Sequence, residues 1–399
     1  MKRILHVSGT YKGDGSTYST LLLHKHLKNR GYSSFIAYLS QSNNRDVYYL
    51  NENILSKIKF FILNKINSLL IYYFKKDKNF AFFNNFIDSG LEEIIKKTKP
   101  DIIHFHWMPR TINLEKIFNL KQKIVWTIRD FWAFTGGCNV PMNCNKFKNQ
   151  CFNCIHLKGN FKKDLSYYNF INKKKNYEKI KNTTLVFPCT DFQKLKNKTI
   201  LKIFKKSTII PNAINNKKII LNKIKLKNNN NFTILFGAQN LDQKWKGTDI
   251  VIKMIKKFSH ENVNFIIFGK TKKFLDFFKN EKKVKYLGYI DSEIKMQKTF
   301  LNSDLFIFPS YYESFGKLII ESLANGIPVI ANKAYGAKDI ISHKYDGYLV
   351  ENHSLSDYVR GINYFKNKKK SPRKDCISKS QKYKIDVIGK MYSNVYEKL

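Results

Sequence analysis

Two glutamates, Glu313 and Glu321, stand eight residues apart on either side of Phe315-Gly316-Lys317. Carboxylates accept hydrogen bonds from hydroxyl groups. The free amides and dipole at a helix start attract an anion, and Gly316 has no side chain to keep a ligand off the backbone. Together these groups suit a phosphate joined to a hydroxyl-rich sugar. A plainer reading gives Glu321 to one of the many lysines, since a carboxylate among Leu318, Ile319, Ile320, Leu323 and Ala324 needs a partner. Elsewhere, His104 and His106 alternate along one strand and share a face, and Arg129-Asp130 closes another strand. Cys138, Cys144, Cys151 and Cys154 follow with spacing C-x5-C-x6-C-x2-C and His156 just beyond. Four such thiols are enough for a structural zinc, although only the last pair has the short knuckle spacing. Reduced thiols packed in a loop are the other reading.

The elements that must position these groups follow from apolar runs and their punctuation. Leu305 to Phe308 reads as a buried strand stopped by Pro309. Lys317 to Ala324 reads as a helix ended by Asn325-Gly326, and Val329 starts the next strand. In such a unit ligands bind outside the carboxyl ends of the strands. The chain opens in the same way, with a strand from Arg3 to Ser8, a turn containing Gly13-Asp14-Gly15, a helix to Asn29 and a strand from Phe35 to Leu39. That turn is not G-x-G-x-x-G, and the second strand ends without an acidic residue for a ribose, which counts against a dinucleotide oxidoreductase. Further strands are expected at 101–107, 123–129, 184–189, 207–210, 232–236, 263–268, 284–289 and 348–350. The class is therefore α/β. The expected domains are 1–214, with a Cys-rich insert at about 138–156, and 215–375. A last helix in 376–399 is expected to cross back to the first domain.

With 399 residues, 43% of them hydrophobic, the chain can bury substantial cores. Its formal charge of +42 either reflects the Lys-, Asn- and Ile-rich composition of an A+T-rich genome or suits an anionic membrane surface or acidic substrates. No zinc-finger, RRM or helix-turn-helix pattern supports nucleic acid as a partner. The first apolar run is too short for a signal peptide, and no stretch reaches eighteen apolar residues. With six cysteines, four of them clustered, this points to reduced thiols and a cytoplasmic location. Residues 54–76 form a helix rich in aliphatic, aromatic and lysine residues. Such a helix either lies in a membrane interface or packs on the sheet under lysine stems, and the second is the simpler expectation. Residues 158–182 read as a solvated helical face.

The E-x7-E pattern of Glu313 and Glu321, in its strand–helix setting, resembles the retaining nucleotide-sugar glycosyltransferases of family four. The resemblance covers nearly the whole chain and implies the GT-B fold, two Rossmann-like domains facing across a cleft. It implies that Glu321 binds the nucleotide ribose and that Glu313 lies near the transferred sugar. Phe315, Gly316 and Lys317 would hold the sugar and diphosphate, Lys246 a phosphate, and Tyr289 and Ile290, after Gly288, the base. Gly13 and Gly15 match the family's phosphate-side turn. The arginine that usually accompanies Lys246 is absent, with Ala238-Gln239-Asn240 in its place and Lys244 as a substitute; the family's His-Asp appears as Arg129-Asp130. The stretch from Trp126 to Cys138 resembles capsule, colanic-acid and O-antigen enzymes. The implied reaction needs no metal and moves a sugar from a UDP- or GDP-sugar to a surface polysaccharide or lipid-linked glycan. The alternative is a non-catalytic basic binding protein that keeps the fold.

Overall fold

The computed structural model describes residues 2–9, 15–39, 47–50, 54–76, 80–84, 90–109, 111, 113–117, 120–159, 161–180, 182–215 and 231–399. Gly13 and most of the linker lie outside them. The chain divides into two compact units, 1–215 with Ile385–Leu399, and Asn216–Lys384.

The first unit carries seven parallel strands: β1 Arg3–Val7, β2 Ser33–Tyr38, β3 Val47–Tyr49, β4 Ile102–Phe105, β5 Lys123–Thr127, β6 Thr183–Phe187 and β7 Lys206–Ile209. Their order is β3-β2-β1-β4-β5-β6-β7, so the winding reverses between β1 and β4. The second unit has six: β8 Phe232–Asn240, β9 Val263–Lys270, β10 Val284–Tyr286, β11 Leu305–Phe308, β12 Val329–Asn332 and β13 Gly347–Val350. Their order, β10-β9-β8-β11-β12-β13, reverses between β8 and β11. Strands covered on both faces read as unbroken apolar runs, as in Leu305-Phe-Ile-Phe308, buried at all four positions. The short β3 gives too little pattern for sequence to find.

The chain's last segment is broken rather than one helix. Arg373–Ser380 is helical, a short turn follows at Gln381–Tyr383, and Lys384 is extended before the final helix Ile385–Glu397. Tyr383 is buried against Phe315, which holds the segment before the break in the second unit. From Ile385 the chain joins the first unit, where Ile385, Ile388, Tyr392 and Tyr396 pack with Leu23, Leu27, Ile102 and Val125.

Two expectations about surface need correction. Helix Leu165–Tyr177 is solvated on one face only: Lys174 and Lys175 are exposed, but Asn169, Phe170, Lys173, Asn176 and Tyr177 are buried. Its polar members find internal partners, Asn169 donating to Asn84 at 2.7 Å, and such pairing offsets the cost of burying polar groups. Helix Ile54–Phe74 does not lie under lysine stems, because a row of its large apolar residues faces outward. No helix of the described residues is long and apolar enough to cross a membrane.

Ile388 is 2% exposed within the first core. Ile388→Ala should cost about 2–5 kcal/mol and lower the unfolding midpoint of the first unit in urea. An unchanged midpoint would mean that the last helix does not belong to this core.

Candidate functional site

In the second unit Lys246 and Glu313 meet beyond the carboxyl ends of β8 and β11, where the strand order reverses and ligands bind in doubly wound sheets. After β8 the chain turns through the short helix Lys244–Lys246. Trp245 is buried beneath it, and its carbonyl accepts from Tyr311 N at 2.8 Å, joining this turn to the loop after β11. Gly247 has φ 72°, and a Cβ there would lie 2.5 Å from Pro309 O, so only glycine lets the two loops meet so closely. Asn332, at the end of β12, donates to Pro309 O and Ser310 O, both at 3.0 Å, and takes a bond from Tyr358.

Across this junction Lys246 Nζ meets Glu313 Oε2 at 2.8 Å, with the side chains 18% and 29% exposed. Glu321 is paired, in line with the plainer reading: Lys317 Nζ reaches its Oε1 at 2.5 Å, one helical turn away. Both lysine–glutamate pairs remain within reach of solvent. Gly316, at φ 96°, starts helix Lys317–Ala324, and Phe315 is buried beside it. Lys244 is exposed. Ile290 is buried, whereas Tyr289 is 40% exposed with Lys270 Nζ 4.8 Å from its ring. Ala238 is buried and brings no charge in place of the missing arginine. Among the missed residues are Trp245, Tyr311 and Asn332. They act through backbone contacts between segments distant in sequence, which no local pattern reveals.

In the first unit the winding also reverses next to chemistry. His6 on β1 pairs in register with His104 on β4. Arg129 donates to Asn212 Oδ1 and, at 3.1 Å, to His106 Nδ1. A guanidinium only donates, so His106 carries its proton on Nε2 and gives it to His6 Nδ1 at 2.9 Å. His104 bonds Tyr396 OH at 2.7 Å and Thr127 Oγ1 at 2.8 Å. Burial holds all three imidazoles well below the usual histidine range. They are the group among the described residues whose ligand atoms lie within 4.8 Å of one another. Arg129 beside them favours a neutral network over a cation, although His6 Nε2 is left buried without a hydrogen-bond partner. Only the strand order brings His6 to the others, and sequence reading missed it. Asp130 caps the turn Phe131–Phe134, its Oδ1 accepting from Trp132 N at 2.9 Å. Gly15 opens the first helix with open space around it.

Cys138, Cys144, Cys151 and Cys154 line one cavity with His156, but their sulfurs do not reach the mutual spacing found for the histidines. They are the residues that would hold a zinc, which binds thiolates. Burial pushes the Cys151 thiol up to about 12 and Cys154 to about 11, so both are neutral. Gly136 N donates to Cys151 Sγ at 3.2 Å. Next to them Lys173 is wholly buried, its Nζ 2.6 Å from Trp132 O, 2.9 Å from Thr135 O and 3.4 Å from the Trp132 ring centre. Burial lowers its pKa from 10.5 to about 7, with Asp130 pulling the other way.

Residues 217–383 match the family model described as Glycosyl transferases group 1. A stretch of 155 residues is 28% identical to the phosphatidylinositol N-acetylglucosaminyltransferase GPI3 subunit of Saccharomyces cerevisiae, covering 37% of this chain and 33% of that protein. Another, of 118 residues, is 32% identical to protein CapJ of Staphylococcus aureus, covering 28% and 30%. The chain thus spans about a third of the length of these relatives. The structure of Anabaena Alr3699/HepE in complex with UDP and glucose superposes with a TM-score of 0.66 over 100% of both chains at 15% identity. Sucrose-phosphate synthase of Thermosynechococcus elongatus gives 0.69 over 100% of this chain and 99% of that one at 14% identity. These likenesses are of fold, and the fold is GT-B.

Lys173 gives a pH signature. Between pH about 7 and 10.5 the unfolded chain holds this proton and the folded chain does not, so Lys173 makes stability rise with pH in that window. Melting curves of parent and Lys173→Met across that window test it. The stability of the variant relative to the parent should fall steadily as pH rises. Any constant offset from lost hydrogen bonds is separate. Parallel profiles would contradict the assignment.

Proposed function

We propose, from the match of residues 217–383 to the family model described as glycosyl transferases group 1, that the chain is a retaining glycosyltransferase. It moves a sugar from a nucleoside-diphosphate sugar to a surface-polysaccharide or lipid-linked glycan acceptor. The observation that carries this reading is the meeting of Lys246 with Glu313 at the β8/β11 reversal, beside the amide-rich helix start at Gly316. The structural neighbours and relatives support the donor and acceptor classes. Anabaena Alr3699/HepE is complexed with UDP and glucose, and the yeast relative is a subunit of a phosphatidylinositol N-acetylglucosaminyltransferase.

In the proposed mechanism the diphosphate lies between Lys246 and the amides of Gly316 and Lys317, with Lys244 adding charge from the exposed turn. These groups stabilise negative charge as the bond to the sugar breaks. Lys317 leaves Glu321, whose carboxylate then accepts the ribose hydroxyls. Glu313 orients Lys246 and faces the transferred sugar, while Phe315 supports the backbone and Tyr289-Ile290 flank the base. The leaving phosphate takes the acceptor proton, giving same-face transfer with retention. No step requires a metal. In the first unit, Arg129 at the strand end serves the acceptor side, held by His106 and Asn212; Asp130 supports it by capping the next turn. The free thiols support a cytoplasmic site of action, with the first unit at an anionic membrane surface. The competing reading, a binding protein without chemistry, draws on the missing arginine and is separated by donor hydrolysis with purified protein.

Lys246→Ala should lower kcat/KM on the order of a hundredfold, the usual cost of ~3 kcal/mol for one preorganised contact. Glu321→Gln should raise KM more than it lowers kcat, and Glu313→Gln the reverse. Since Lys246 and Glu313 touch, the double variant should cost less than the two single losses added. Kinetics on variants whose melting temperatures match the parent decide the matter. Full activity in folded Lys246→Ala and Glu321→Gln would defeat the reading.

A further inference from the structure

We propose that helix Ile54–Phe74 and the cysteine-rich loop together form a docking face for an anionic lipid bilayer. The proposal deepens the membrane-side reading above and rests on it for its biological use, but the face itself is read from the first unit alone.

The helix repeats large apolar residues at Ile54, Ile58, Phe61, Ile62, Leu69 and Tyr73, spaced so that they share a broad stripe. In a helix serving only the fold this stripe would be covered. Here Ile54 is 72% exposed, Phe61 66%, Leu69 61% and Tyr73 71%. A row of this length marks an interaction surface, unlike the isolated apolar residues found on every protein.

The helix is held in place from its other side. Asn67 is buried and takes a 2.6 Å bond from Asn84. At the carboxyl end Lys76 N donates to His156 O at 3.0 Å and Lys158 N to Phe74 O at 2.5 Å, while Phe80 stacks on His156 at 3.5 Å. The cysteine-rich loop thus anchors the helix, and it adds its own outward residues Phe152, Ile155 and Phe161.

Charge identifies the occupant. No acidic residue lies between Ile54 and Phe74, and Lys57, Lys59 and Lys65 are exposed among the apolar positions. Lys76, Lys158, Lys162 and Lys163 continue the basic surround. Apolar side chains entering the acyl boundary, with ammonium groups at phosphate level, are what an interfacial helix presents to anionic lipid. A second copy of this chain would set these lysines against each other within a net charge of +42.

Sedimentation of the full chain with phosphatidylcholine vesicles, with and without phosphatidylglycerol, tests the proposal. Binding should require the anionic lipid and weaken as salt is raised. Phe61→Ser/Leu69→Ser/Tyr73→Ser and Lys57→Glu/Lys59→Glu/Lys65→Glu should each weaken it by at least about tenfold, with melting temperatures unchanged because all six positions are exposed. Equal binding to neutral vesicles, no binding to anionic ones, or parent-like binding by both variants would overturn it. So would concentration-dependent dimerisation that the same substitutions abolish. Donor hydrolysis without vesicles should be equal in parent and variants, so a failure of docking and a failure of the glycosyl-transfer reading are seen separately.

Discussion

The arrangement of the second unit turns on one ion pair, Lys246 to Glu313 at 2.8 Å, formed between two loops that leave adjacent parallel strands. Neither loop could hold its charged group alone. The turn at Lys246 is fixed by buried Trp245 and by the close approach of Gly247 to Pro309. The loop at Glu313 is fixed by Asn332, Tyr358 and the bond from Tyr311 to Trp245. With side chains mostly shielded from solvent, the pair keeps a lysine ammonium beside the helix start at Gly316 before any ligand arrives. Preorganised charge of this kind needs no rearrangement at the moment of reaction. The same pairing restrains Lys246, so an arriving diphosphate must compete with Glu313 for it.

The second unit is the more legible part of the sequence. Its strands are buried on both faces, so Leu305–Phe308 and Val329–Asn332 show as apolar runs, and Pro309 and Asn325-Gly326 punctuate them clearly. The carboxylates and the glycine at the helix start are visible because their spacing is local. What cannot be read is which side chain each carboxylate holds. The Lys246–Glu313 contact joins positions far apart in the chain, and the Lys317–Glu321 pair competes with any ligand for the same oxygen.

The first unit is less legible, and for two physical reasons. Some polar residues read as surface although they have internal partners: Lys173 among carbonyls and an indole ring, and Asn169 on Asn84. The apolar residues of helix Ile54–Phe74 read as covered, yet the fold leaves them outward. Composition cannot separate these cases, because burial is set by what packs opposite. The network of His6, His104, His106 and Arg129 is hidden likewise, since β1 and β4 become neighbours only through the crossover topology.

The most direct test of the central claim is calorimetric binding of a nucleoside, its monophosphate and its diphosphate to the parent protein and to Lys246→Ala. If Lys246 and the helix start at Gly316 form the diphosphate site, affinity in the parent should rise from nucleoside to diphosphate. That rise should shrink by about tenfold or more in the variant, while nucleoside binding stays the same. Equal preference for the diphosphate in both proteins, or no binding of any nucleoside diphosphate, would contradict the account.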